Sequence, residues 1–117
     1  MGKILISGLF LVLSGCYGTP NVIAGGVPET GKNLAAWYGC GSCHAMPGLP
    51  GAVGRVGPAL GGIARQAYIT GSIPNTPANL MRWIREPRNV DARTVMPNMG
   101  ITEQHGRDIA AYLYTLE

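Results

Sequence analysis

The chain has 117 residues, a formal net charge of +3 and 46% hydrophobic residues. That length suits one domain rather than two, and the charge is too small to indicate nucleic-acid binding. Its 18 glycines and nine prolines predict long loops, so the chain has little apolar mass for a core and an apolar cofactor would help to fill it.

The N-terminus predicts an export signal over residues 1–15. Lys3 precedes an apolar run at residues 4–13, which is too short to span a membrane because a spanning helix needs about 20 residues. The run ends in Leu-Ser-Gly-Cys16, which resembles the lipobox of bacterial lipoproteins. That resemblance implies cleavage before Cys16 and a lipid anchor on its sulfur, on the periplasmic side of a bacterial membrane. The alternative is cleavage after Ala24, which would release a soluble protein.

A tether and one helical domain are predicted after the signal. Residues 16–29 are rich in glycine and proline with almost no charge, which is typical of a flexible linker. The domain is predicted over residues 30–117. Its first helix is predicted to start at a cap on Thr30 and to place Leu34 and Trp37 on one face.

Two further helices follow a loop predicted over residues 45–62. One spans residues 78–85, capped by Asn75 or Thr76 and ended by Pro87. The other spans residues 103–116 after a cap at Thr102. The predicted buried faces comprise Leu80, Trp83 and Ile84 in the first of these helices and Ile109, Tyr112, Leu113 and Leu116 in the second. No segment alternates like a strand, so the predicted fold is all-α, with three to five short helices joined by long loops.

The motif Cys40-Gly-Ser-Cys43-His44 is compatible with three kinds of chemistry. A structural zinc site needs four nitrogen or sulfur ligands. The motif offers three, and the fourth would have to be His105, which lies 61 positions after His44. The two histidines of a typical zinc site are only three to five positions apart, so this spacing disfavours zinc. Thiol–disulfide exchange usually accompanies a βαβ unit, which is not predicted, and leaves His44 without a role. Covalent attachment of c-type haem uses both thiols and the imidazole. An exported, loop-rich chain favours this third interpretation.

A second iron ligand is expected after the motif, since a thioether sulfur there raises the reduction potential. The candidates are Met46, Met81, Met96, Met99 and His105. Met46 is too near the motif to reach the opposite side of the iron. Met81 falls in a predicted helix, where a packing role is expected. His105 falls in the first turn of the last predicted helix, where a solvated or capping role is expected. From these residues alone, Met96 and Met99 are equal candidates.

Several segments together resemble a class I cytochrome c. They are residues 39–44, 57–60, 79–87, 96–100 and 109–113. The resemblance covers about residues 30–117 and implies one haem c attached through Cys40 and Cys43, wrapped by short helices. The first and last helices, which carry Trp37 and Tyr112, are expected to cross near the haem.

The resemblance also implies roles for single residues. The axial methionine of the family lies 13 positions after an aromatic of the middle helix, here Trp83, which selects Met96 and leaves Met99 at the haem edge. The family's Gly-Pro turn accepts a hydrogen bond from the axial histidine through a backbone carbonyl, and Pro58 is the matching position. Arg65, near this turn, is a candidate partner of the haem propionates.

Residues 43–52 and 73–80 are also similar to the cytochrome c domain fused to subunit II of some bacterial haem–copper oxidases. This implies an electron carrier rather than an enzyme, with a quinol-oxidising complex or dehydrogenase upstream and cytochrome c oxidase downstream, or a fixed subunit of such a complex. Four arginines lie between residues 82 and 93, and three roles are open for them: a solvated surface, a docking patch for an acidic partner, or pairing with the haem propionates. The alternatives are a five-coordinate haem enzyme or gas-binding protein with His105 as its distal group, and a subunit whose haem is structural.

Overall fold

The computed structural model describes residues 22–117, so the predicted signal, the predicted lipidation site Cys16 and the first part of the predicted tether lie outside the described residues. The described chain is mainly α-helical, with one two-stranded sheet. In chain order the elements are α1 (Pro28–Trp37), β1 (Tyr68–Ile69), β2 (Ile73–Pro74), α2 (Pro77–Arg85), α3 (Pro87–Val90) and α4 (Glu103–Leu113). Single 3₁₀ turns lie at Cys40–Ser42 and Ile63–Arg65. Between residues 22 and 117 no helix has both the length and the apolar character to cross a membrane.

Helix α1 starts two residues before the predicted cap at Thr30. Pro28 occupies its first turn, where a missing N–H costs no hydrogen bond and the fixed φ favours a helix. Before it, Ile23 is buried and the Val27 N–H donates to Asp108 Oδ1 at 2.9 Å. The described part of the predicted tether therefore packs on the domain.

Helices α1 and α4 pack together where α1 has its smallest side chains. A Cβ atom at Gly31 would lie 1.8 Å from the carbonyl oxygen of Asp108, and Ala35, one turn later, is fully buried. Trp37 is 75% exposed, whereas Leu34, predicted on the same face, is partly buried against the core. The contact face follows the four-residue spacing of Gly31 and Ala35, and Trp37 points away from it.

The other helices follow their predicted patterns closely. The hydroxyl of Thr76 caps α2 by accepting from the Asn79 N–H, and that of Thr102 caps α4 by accepting from the His105 N–H, each at 3.2 Å. All four residues of the predicted face of the last helix are buried, although α4 ends at Leu113. Pro87 ends α2 as predicted and also begins the short α3.

A small hairpin between the 3₁₀ turn and α2 was not predicted. Ile69 pairs with Ile73 in an antiparallel register, and the Ser72 N–H donates to the Ile69 carbonyl at 3.3 Å. The central residues Thr70 and Gly71 both have positive φ, 56° and 82°, the pattern of a type I′ turn. Strands of two residues are too short to show alternation, so the pattern of apolar residues could not reveal them.

Candidate functional site

The described residues enclose a cavity of about 630 Å³, which we call the central cavity. Its walls come from the Cys40–Ser42 turn and the chain after it, from the loop around residues 56–60, from α2, from residues 91–101 and from α4. The volume falls in the range of about 300–1,000 Å³ that small-molecule and cofactor sites occupy. Of the site residues predicted from the sequence, the wall contains Cys40, Cys43, His44, Pro58, Trp83, Met96 and Met99.

The local fold of the Cys-x-x-Cys-His motif brings its three reactive side chains to one wall. Gly39 adopts a left-handed conformation with φ 75°, which ends the α1 region without a steric penalty. The Cys43 and His44 N–H groups then both donate to the Cys40 carbonyl, at 3.2 and 3.0 Å. This tight turn places two thiols and an imidazole beside the same cavity.

The ring of His44 is held by the turn at residues 57–58. Its Nδ1 atom lies 2.6 Å from the carbonyl oxygen of Pro58. A carbonyl can only accept, so Nδ1 carries the proton and Nε2 keeps a free lone pair. Gly57 lets this turn come close, because a Cβ atom there would lie 2.3 Å from His44 Cε1. The backbone therefore fixes both the tautomer and the orientation of the ring.

Cys40 and Cys43 do not form a disulfide with each other. Burial raises the pKa of the Cys40 thiol, which keeps it neutral at neutral pH. Among residues 22–117 no three His, Cys, Asp or Glu side chains are grouped so that they could hold a metal ion. His105, which a zinc site would need as its fourth ligand, instead has its Nδ1 atom 2.8 Å from the Tyr38 hydroxyl.

Both candidate methionines reach the central cavity from the loop before α4. Met96 is half-buried, whereas Met99 is 43% exposed. Side chains brace this loop at two points: Thr94 Oγ1 accepts from the Met96 N–H, and Asn98 Oδ1 accepts from the Arg88 N–H, each at 3.2 Å. Met46 also lines the cavity, whereas Met81 does not.

The arginines are spread over different surfaces. Arg65 is exposed at the end of the second 3₁₀ turn and is not part of the cavity wall. Arg93 is part of the wall and donates through Nε to Asp91 Oδ1 at 3.1 Å. Hydrogen bonds from Arg93 lower the pKa of the Asp91 carboxyl. Arg82 and Arg85 face a separate cleft on the opposite side of α2.

Some polar residues of the wall were not singled out from the sequence, among them Tyr38, Gln66 and Thr70. Tyr38 ends the α1 region, and its ring contacts that of His105 edge-on, with centroids 5.8 Å apart. Thr70 is the one residue other than glycine with positive φ among residues 22–117. An unfavourable backbone at a cavity wall is a recognised mark of a functional position, but it is not visible in the residue type.

The residues of the central cavity fit a covalently attached haem. Two thiols, an imidazole with a free Nε2 and the thioether sulfurs of Met46, Met96 and Met99 share one largely apolar wall. Such a set offers two points of covalent attachment and nitrogen and sulfur donors for one iron.

Comparison with known proteins gives one informative similarity. Over 88 residues the chain is 31% identical to cytochrome c oxidase subunit 2 of Alkalihalophilus pseudofirmus. The match covers 74% of this chain but 25% of that protein, so the chain spans about a quarter of the length of its relative. No protein-family model matches the chain.

Proposed function

We propose that this chain is a one-electron carrier of a bacterial respiratory chain, a class I cytochrome c with a single covalent haem. The observation that carries the proposal is the setting of His44: its Nδ1 is held by Pro58, and its ring shares the central cavity with Cys40, Cys43 and Met96. Bound haem supplies one-electron chemistry at its iron. The similarity to part of an oxidase subunit supports a place next to such a complex.

Each residue of the proposed site has one task. Cys40 and Cys43 form the two thioethers, and His44 offers Nε2 to the iron. Met96 would offer its sulfur from the loop before α4, where its side chain is less exposed than that of Met99. The apolar walls of the cavity exclude water and keep the ligands in place, which limits rearrangement when an electron arrives or leaves.

The proposed setting is the periplasmic side of a bacterial membrane, with a lipid anchor on Cys16. A quinol-oxidising complex or a dehydrogenase would donate the electron, and cytochrome c oxidase would accept it. The mass of the mature N-terminus tests the anchor directly, because a chain that starts at Gly25 without lipid contradicts it.

Carbon monoxide tests the proposed ligands. With two protein ligands on the iron, the spectrum of the dithionite-reduced protein should not change when carbon monoxide is added. Met96→Ala should open one position and bind the gas, whereas Met99→Ala should behave like the unaltered protein. A prompt shift in the unaltered protein would instead favour the five-coordinate enzyme or gas-binding protein. If Met99→Ala alone opened the iron, the ligand would be Met99.

A further inference from the structure

A second cavity of about 480 Å³ lies on the side of α2 away from the central cavity. We call it the arginine cleft. Its walls are residues 22–24, the outer face of α2 from Pro77 to Glu86, and Glu103 and Arg107 at the start of α4. Within residues 22–117 the two cavities share no lining residue.

The arginine cleft combines an apolar floor with a cationic rim. Val22 is 70% exposed there, next to the buried Ile23. The rim carries three arginines against two glutamates, so positive charge is in excess.

The three arginines differ in how they are engaged. Arg107 is paired with Glu103, and Arg85 donates through Nε to the Ile101 carbonyl at 3.4 Å. Arg82 is exposed and takes part in no ion pair among the described residues. Of the three arginines, Arg82 is therefore the one whose guanidinium is most available to bind an anionic group of another molecule.

The wall formed by residues 22–24 is fixed to the domain. The Val27 N–H donates to Asp108 Oδ1 at 2.9 Å, and Gln104 Nε2 donates to the Gly25 carbonyl at 3.0 Å. The cleft begins at Val22, six positions after Cys16. Six residues reach at most about 20 Å when fully extended, so a lipid on Cys16 would keep the cleft within that distance of the membrane surface.

We propose that the arginine cleft binds the phosphate groups of anionic phospholipids in the membrane that holds Cys16. This inference rests on the proposed lipid anchor. Guanidinium groups match phosphate oxygens in paired hydrogen bonds, and exposed apolar side chains beside them suit the boundary between headgroups and acyl chains. A short tether gives a high local concentration, so a weak contact is enough. The contact would leave α2 between the membrane and the central cavity, which gives the domain one preferred orientation.

The test uses haem-loaded protein that starts at residue 17, which lacks the lipid, so that any binding comes from the domain itself. Its sedimentation with phosphatidylcholine vesicles is compared with sedimentation with vesicles of equal parts phosphatidylcholine and phosphatidylglycerol. We expect binding to the anionic vesicles, weakened by salt. Arg82→Gln should reduce partitioning about fivefold, the usual effect of one arginine near an anionic membrane.

Arg55→Gln is the matched control, because Arg55 is exposed, lies outside both cavities and changes the net charge equally. Partitioning that falls equally in both variants would overturn the proposal, since net charge would then explain it. Equal binding to neutral and anionic vesicles, or none to either, would also overturn it. These outcomes are separate from the proposed function, which is judged by the haem spectrum and by the mass of the mature N-terminus.

Discussion

The Nδ1 atom of His44 lies 2.6 Å from the carbonyl oxygen of Pro58, across 14 positions of sequence. The bond joins the Cys-x-x-Cys-His turn to the next loop of the cavity wall. Because the acceptor is a backbone atom, the bond depends on how close the loop comes and not on the side chain at position 58. The orientation of the His44 ring therefore depends on Gly57, which lets the loop come close to the ring.

Substitution of Gly57 should disturb the His44 ring directly. In Gly57→Ala the new Cβ would lie 2.3 Å from Cε1 of that ring, so the loop or the ring must move. We expect the free energy of unfolding to fall by about 2–3 kcal/mol, as for other overpacked sites, with a change in the optical spectrum of the bound haem. Chemical denaturation and an absorption spectrum measure the two effects.

Gly48→Ala provides the control for this change. Gly48 has φ 76° and open space around its Cα, so the substitution costs only the backbone penalty of about 1–2 kcal/mol and should leave the spectrum unchanged. An unchanged spectrum in Gly57→Ala as well would show that the loop does not set the orientation of the ring.

Gly31→Ala should destabilise the contact between α1 and α4. Alanine is favoured over glycine in a helix by about 1 kcal/mol, but here a Cβ would lie 1.8 Å from the Asp108 carbonyl oxygen. We expect a net loss of about 2–3 kcal/mol because the helices must separate. Asn33→Ala, at an exposed position of the same helix, should be neutral or stabilising. Urea denaturation measures the free energy of unfolding of both variants. A Gly31→Ala variant more stable than the unaltered protein would contradict the close contact.

Loss of the hydroxyl should lower the free energy of unfolding at Tyr114 but not at Tyr112. Tyr114 donates to Asn75 Oδ1 at 2.9 Å, so Tyr114→Phe should cost about 1 kcal/mol. The buried Tyr112 hydroxyl has no hydrogen-bond partner among the described residues, so Tyr112→Phe should be neutral or stabilising. Equal losses in the two variants, measured by thermal unfolding, would contradict this difference.

Tyr114 should also make stability depend on alkaline pH. Burial raises its pKa to about 12, above the value of about 10 expected in an unfolded chain. The folded state thus holds this proton more tightly. Its contribution is complete below about pH 10 and is lost as the pH rises through about 12. Unfolding curves from pH 9 upward should show a smaller decline in Tyr114→Phe than in the unaltered protein.

Substitutions of Asp108 and of Asp91 should differ in their effect on stability. Asp108 is buried and accepts hydrogen bonds from the Val27 N–H and from Gln104 Nε2, so Asp108→Ala should cost about 2–3 kcal/mol. It should also open residues 22–27 to limited proteolysis. Asp91 pairs with Arg93 on the surface, where solvent screening leaves ion pairs with little effect on stability, so Asp91→Ala should change stability little. Equal protease resistance in both variants would show that Asp108 does not hold the N-terminal segment.

Local patterns in the sequence predicted much of the architecture. Thr76 and Thr102 are capping residues in the structure, and the apolar spacing of the last helix identified a buried face. These features depend on a few neighbouring residues. The exposure of Trp37 could not be predicted from such local patterns. The small residues at positions 31 and 35 decide which face of α1 packs against α4.

The candidate site was only partly visible in the sequence. The Cys-x-x-Cys-His spacing singled out three residues that line the central cavity, and the methionine-containing loop gave two more. The contact between Tyr38 and His105 joins residues 67 positions apart. The backbone strain at Thr70 depends on a hairpin of very short strands. Neither feature has a local signal, since both arise when distant segments meet.

The contact between Gly31 and Asp108 also has a kinetic consequence. It joins the first and last helices of the described chain, 77 positions apart, and such long-range contacts slow folding because the intervening chain must first be brought together. Residues of α4 also line the central cavity. A growing chain therefore cannot close its cavity until synthesis has passed α4, and a product that stops before α4 lacks part of the cavity wall.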